Sequence, residues 1–286
     1  MAKDEKGAVL ITGSSTGIGK ACALFLDRLG YSVFAGVRTD KAGEQLRGEG
    51  SENILPVILD ITIPEQIAQA VKTVTSTLGY DRGLAGLVNN AGIVVSGPLE
   101  FLPVNDLRRQ FEVNVIGHIA VTQAFLPLIQ MGHGRIVNIS SVAAFLALPF
   151  LGAYSASKFA IEAVTDSFRR ELMLRGIHVS VIEPGYIETP IWDKGYDQAD
   201  QMIEELPAHA KGLYSDSYRA GRKFFDENRN KALPPEAVAK RVRHALEAKR
   251  PKTRYLIGMH TYAAAIANKF LPSRFTDWVV QKVLAK

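Results

Sequence analysis

The chain has 286 residues, 47% of them hydrophobic and 22% charged, a balance that excludes a disordered, collagen-like or coiled-coil protein. Its net charge of +5 is unevenly spread: residues 231–286 hold 12 Lys and Arg against 3 Asp and Glu, leaving 22 against 26 elsewhere. No aromatic residues interleave with Lys240, Arg241, Lys249 and Arg250 as a nucleic-acid groove requires, so these four read as a solvated helix face and no nucleic-acid partner is expected.

The first seven residues are charged and lack the apolar centre of a secretory signal. No apolar run reads as the roughly 18 residues that a membrane span needs. Cys22 is the single cysteine. No disulfide can close within the chain, a small core residue is the reading for Cys22, and a cytoplasmic location is expected.

Strand-like runs at residues 8–12, 32–37, 53–59, 84–89, 135–140 and 177–183 alternate with helical patterns at 17–29, 64–78, 105–131 and 155–175. Pro64 suits a first helical turn. Such alternation predicts a doubly wound α/β fold of the Rossmann type, a parallel sheet covered by helices on both faces. The strands are short continuous apolar runs, as burial on both faces demands. The order breaks after Gly185. Residues 189–230 carry Trp192, Tyr196, Tyr214, Tyr218, Phe224 and Phe225 without a strand pattern, which predicts a helical lid over the sheet. Helix returns at 235–248 and a last strand at 253–257. Amphipathic pieces at 262–270 and 275–284 flank Pro272. Packing on the body is the favoured reading of these pieces, with contact to a membrane surface as the alternative. No repeat or linker divides the chain, so residues 1–286 read as one domain with the lid inside it.

The first strand runs into Thr12-Gly13-Ser14-Ser15-Thr16-Gly17-Ile18-Gly19. Glycines let a backbone approach a ligand closely, and the helix that follows points free N–H groups and its positive dipole end at the turn, where phosphate binds. The same residues fit a hydrolase G-x-S-x-G elbow, but too few residues precede it to build that fold. A G-x-x-x-x-G-K loop misses by one residue, and Ala21 stands where a hydroxyl is needed. The second strand ends at Val37 and is followed by Arg38 and Thr39. An acid there would meet the two ribose hydroxyls of NAD, whereas a guanidinium suits a 2′-phosphate. NADP(H) is therefore preferred, and Asp40 keeps NAD(H) open.

Tyr154 and Lys158 lie four residues apart and share a face if helical. A free phenol titrates near pH 10. An ammonium beside it stabilises the phenolate and lowers that value, which would make Tyr154 a usable acid and base. Ser141, with Ser140 as its competitor, sits at a strand end and could hydrogen-bond a reacting oxygen.

Together these motifs resemble the short-chain dehydrogenase/reductase family from Val9 to about Thr189, most closely its hydroxysteroid and retinol dehydrogenase branch. The resemblance implies a catalytic set of Asn114, Ser141, Tyr154 and Lys158, and its spacing to the tyrosine selects Ser141. It implies that Lys158 holds the nicotinamide ribose and that Asn114 holds a water chain. It places Gly13, Ser15, Thr16, Gly17, Ile18 and Gly19 on the cofactor phosphates, and Arg38 and Thr39 at the adenosine ribose. Asp60 and Ile61 fall at the adenine, Asn90, Ala91 and Gly92 beside the adenosine, and Pro184, Gly185, Ile187 and Thr189 at the nicotinamide. It also implies a homodimer or homotetramer through the helices at 105–131 and 155–175.

Residues 142–151 are apolar and lie between Ser141 and Tyr154. With Ala143, Phe145 and Trp192 beside Ser141 and Tyr154, they predict a lipophilic alcohol, ketone or aldehyde as substrate, steroid- or retinoid-like. The six histidines are scattered without H-E-x-x-H spacing, and no metal is expected. The alternative is a regulator that binds NADP(H) on the same fold without catalysis.

Overall fold

The computed structural model describes residues 6–229 and 231–284. Residues 1–5, which hold most of the charged start, and Asn230, the end of the expected lid, lie outside the described residues. The chain opens with β1 (Ala8–Ile11), α1 (Gly17–Asp27), β2 (Ser32–Val37), α2 (Asp40–Glu49), β3 (Ile54–Ile58), α3 (Pro64–Leu78) and β4 (Leu84–Asn89). It continues through α4 (Val104–Phe111), α5 (Gly117–Met131), β5 (Arg135–Ile139), α6 (Gly152–Leu172), β6 (Val179–Pro184), α7 (Ile191–Glu205) and α8 (Ala208–Arg229). It closes with α9 (Glu236–Glu247), β7 (Arg254–Ile257), α10 (Met259–Phe270) and α11 (Ser273–Leu284).

Among the described residues the sheet has seven strands in the order β3-β2-β1-β4-β5-β6-β7, all parallel. The doubly wound prediction is the observed architecture. Side chains alternate along a strand, so β1 splits between two cores. Val9 and Ile11 pack with Cys22, Leu26 and Val242 on one face. Ala8 and Leu10 pack with Phe34, Leu87 and Phe125 on the other. Burial pushes the Cys22 thiol up to about 12, and the residue is core, as expected. The winding reverses between β1 and β4, and the crevice outside the strand ends at such a point is where open α/β sheets bind ligands.

Three local features depart from the sequence reading. Residues 40–49 form α2, which no apolar period announced: of its ten residues Gly43 and Leu46 are buried, and Thr39 caps it by accepting from Ala42 N at 3.3 Å. The helix expected over 105–131 is interrupted by one wider turn, of the π type, at Glu112–Ile116, a geometry frequent at functional sites. The stretch Val104–Met131 is also long and apolar enough, by length and composition, to cross a membrane. That corrects the reading that no such run exists. Half of its most apolar window is buried, with Val121, Phe125 and Ile129 in the core. The excursion after Thr189 is helical as expected and consists of α7 and α8. Trp192 stacks on Phe225 across them, centroids 6.1 Å apart.

Arg254 on β7 ties α6 to the sheet. It donates to Glu183 on β6 at 2.8 Å, to Asp166 at 3.1 Å and to Glu162, both on α6. Glu183 is almost fully buried. Burial, and then the neighbouring Glu162 charge, pushes its carboxyl up, against the pull of Arg254. Removing the guanidinium leaves these acids crowded and uncompensated. Arg254→Met is expected to lower stability by about 2 kcal/mol, below the roughly 3–5 kcal/mol of a wholly buried pair because the arginine reaches solvent. Urea unfolding of the two proteins measures the difference.

Candidate active site

The first turn is built for close approach. Gly13 and Gly17 hold φ of +68° and +56°, where other residues are strained. A Cβ on Gly13 would stand 2.8 Å from the Ala91 backbone. Thr16 precedes α1 without a side-chain cap bond, which leaves the first N–H groups of α1 facing the cleft. The segment after β4 is stitched to this turn. Thr12 Oγ accepts from Asn90 N at 2.9 Å and Ala91 N at 3.0 Å, and Asn90 Nδ2 donates to Thr12 O at 2.9 Å.

A cleft of about 750 Å³ runs along the strand ends. Gly13, Ser15, Thr16, Gly17 and Ile18 line its floor, with Arg38, Asp60 and Ile61 at one end. Asn90, Ala91 and Gly92 form its middle. At the other end stand Asn114, Ser141, Tyr154, Lys158, Pro184, Gly185, Ile187, Thr189 and Trp192. The volume, the open helix N-terminus and the guanidinium suit a dinucleotide.

Four expected residues do not line this cleft. Gly19 lies behind the turn, where a Cβ would run into the Gly13 carbonyl and the Asn90 carboxamide. Its part is packing. Thr39 turns away from Arg38 to cap α2. Ala143 lines a second cavity, and half-buried Phe145 lines neither.

The wide turn presents Asn114 to the loop after β4. Its Oδ1 accepts from Ile93 N at 2.9 Å, and its Nδ2 donates to Ile93 O at 3.0 Å and to Ser157 Oγ at 3.2 Å. Gln110, four residues earlier, accepts from Val95 N at 2.7 Å and donates to Ile93 O at 2.9 Å. His118, four residues later, donates from Nε2 to Ala91 O at 2.6 Å, an oxygen that can only accept. Burial, then the charge of Lys158, pulls this imidazole down to about 4, with the Ala91 carbonyl opposing. It is neutral. Neither Gln110 nor His118 was singled out from sequence. Their spacing from Asn114 was the available signal, since residues four apart share a helix face.

Tyr154 and Lys158 share a face of α6, and each is 5% exposed. The Lys158 ammonium donates to Ile139 O at the end of β5, 2.8 Å away, and stands 5.7 Å from the Tyr154 ring centroid. Burial lowers it to about 8, with the Glu162 charge pulling the other way. Burial raises the Tyr154 phenol to about 12, and the Ser141 hydroxyl draws it down. This corrects the expectation that Lys158 sets the phenol low. In the protein alone desolvation outweighs the ammonium, whose charge is directed at a carbonyl. Ser140 also lines the cleft, but the hydroxyl that meets the phenol is that of Ser141.

The second cavity, of about 520 Å³, opens beside Ser141, Gly185 and Trp192 and is walled largely by apolar side chains of α8, α10 and α11. Trp192 packs edge-on to Tyr154, centroids 5.9 Å apart. Ser141, Gly185 and Trp192 line both spaces, and Tyr154 lines the cleft against Trp192 where they meet. Among the described residues no group of three His, Cys, Asp or Glu side chains is placed to hold a metal ion.

Comparison with known proteins agrees with this layout. The sequence model of the short chain dehydrogenase family matches residues 7–200. The 17-beta-hydroxysteroid dehydrogenase type 6 of Bos taurus is 39% identical, over 96% of this chain and 87% of that protein. Retinol dehydrogenase 5 of Mus musculus is 36% identical, over 97% and 89%. A crystal structure of a short-chain dehydrogenase from Streptomyces avermitilis superposes with a TM-score of 0.76 at 28% identity, over 95% of each chain. The chain therefore belongs to the short-chain dehydrogenase family of oxidoreductases.

Proposed function

We propose that the protein moves hydride between NADP(H) and a lipophilic alcohol and its ketone or aldehyde, with Tyr154 as the acid and base. The observation that carries this reading is the position of the Tyr154 phenol, in a cleft of dinucleotide size and against Ser141 and Trp192, which also line an apolar cavity. The names of the mammalian relatives, which refer to hydroxysteroids and retinol, support a bulky apolar substrate. So does the wall of the second cavity, because burying apolar surface contributes about 25 cal/mol per Å² and an unpaired charge there would be costly.

The bound nicotinamide supplies or accepts the hydride. The chain does the rest. Tyr154 gives its proton to the carbonyl oxygen during reduction. Ser141 hydrogen-bonds that oxygen as negative charge develops on it. Lys158 stabilises the phenolate left behind and holds the ribose. Asn114 fastens the loop after β4 and orders water on the proton path. Arg38 takes the 2′-phosphate through its planar fork. A cytoplasmic location and self-association through α5 and α6 belong to the same proposal. Ile116, in the wide turn before α5, and Phe159 on α6 stand exposed, which supports self-association.

The cofactor assignment is tested by absorbance assays with NADPH and NADH. Arg38→Asp is expected to raise the NADPH KM about 10- to 100-fold, the worth of a charge-assisted contact of about 1.5–3 kcal/mol, and to change the NADH KM little. A wild-type preference for NADH contradicts it. The pH profile follows from the two perturbed groups. Tyr154, raised to about 12, keeps its proton through neutral pH. Lys158, lowered to about 8, is charged below that pH and neutral above it. The reductive kcat/KM is therefore expected to be level below pH 8 and to fall above it.

A further inference from the structure

Helices α10 and α11 carry a row of large apolar side chains on their outer side. Met259, Tyr262, Ile266 and Phe270 recur at helical spacing on α10, and Phe275, Trp278 and Val279 follow on α11. Met259 is 86% exposed, Phe270 70% and Trp278 54%. The favoured sequence reading had this segment packed on the body. Only its inner side is so used: Ala264, Ala267 and Val280 line the apolar cavity. Leu271, Phe275 and Val279 both line that cavity and remain exposed. The cavity therefore reaches the surface within the outer apolar row.

The charges around this row are mostly of one sign. Lys269, Arg274 and Lys282 are exposed beside it, with Asp277 as the acid among the described residues of the two helices. The ammonium groups of Lys269 and Lys282 lie over the Phe270 and Trp278 rings, at 5.3 and 5.7 Å from the centroids, so positive charge and aromatic edge stand at one level. A two-fold copy of the chain would bring two such mostly cationic faces together. An anionic lipid surface meets both features, since headgroups take the cations and the interfacial region takes Trp and Tyr rings and aliphatic chains.

We propose that the outer face of α10 and α11 docks on an anionic lipid surface and turns the mouth of the apolar cavity toward the bilayer. A substrate dissolved in lipid would then enter the site without crossing water. That entry route rests on the lipophilic-substrate reading. The docking rests on exposure and charge alone.

Sedimentation of the purified full chain with phospholipid vesicles tests the docking, with no cofactor or substrate added, so its failure and that of the activity reading are distinguishable. Vesicles of equal parts phosphatidylcholine and phosphatidylglycerol are expected to carry the protein down, and raised salt to weaken the binding. Phosphatidylcholine alone should bind at least tenfold more weakly. Phe270→Ser with Trp278→Ser should cut the partition to the anionic vesicles at least tenfold. Lys269→Gln with Lys282→Gln should remove the preference for phosphatidylglycerol. All four side chains are exposed and line neither cavity, so turnover of a water-soluble aldehyde should be unchanged in both variants. Protein left in the supernatant with both vesicle types overturns the proposal, as does binding that neither double variant alters. It also falls if sedimentation velocity without vesicles shows Phe270→Ser with Trp278→Ser splitting a larger species into monomers, because a second copy then covers the face.

Discussion

A buried ammonium is the constraint to which the site answers. Taking a lone cation out of water costs several kcal/mol unless dipoles replace the lost hydration. The Ile139 carbonyl at the end of β5 provides one such dipole for Lys158. The burial that depresses the lysine also raises the Tyr154 phenol. The two shifts run in opposite directions because each disfavours the charged form. The protein alone thus holds a protonated phenol beside a weakened cation. That state is ready to give a proton, and taking one up needs added positive charge nearby.

The fold's task is to keep that pair in place. Helix α6 is fastened near its start and at its middle. Near its start, Ser157 Oγ donates to Tyr154 O at 2.7 Å and accepts from Asn114 in the wide turn of the neighbouring helix. Further along, Glu162 and Asp166 are held by Arg254 from the edge strand β7. Strand β5 delivers both the Ile139 carbonyl and Ser141. The cleft therefore depends on contacts between elements distant in sequence, and the loops contribute its walls more than its geometry.

The alternation of strands and helices was legible because parallel strands buried on both faces are continuous apolar runs with little ambiguity. The polar helix α2 was not, since its signal is a Thr39 cap and one buried leucine. The wide turn at Asn114 leaves the apolar pattern of its helix unchanged and so is silent in sequence. Thr39 follows Arg38 in the chain, but its hydroxyl caps α2 while Arg38 lines the cleft, so the two side chains serve different ends. The Gly19 spacing suggested phosphate contact, and three-dimensional crowding assigns it to packing. For Tyr154 the charged neighbour is visible in sequence, and the burial that raises the phenol in the protein alone is not. The amphipathic end was seen as such. Which face turns outward depends on the cavity beneath it, and no spacing rule reports that.

The central claim is that the Tyr154 hydroxyl supplies the proton while the cofactor is held by other groups. Titrating wild type and Tyr154→Phe with NADPH, by cofactor fluorescence, and then adding a lipophilic ketone tests it most directly. The account predicts Kd values within about fivefold, because a lost neutral hydrogen bond is worth at most about 1 kcal/mol here, and NADPH oxidation in the wild type alone. Undiminished oxidation by Tyr154→Phe would contradict it.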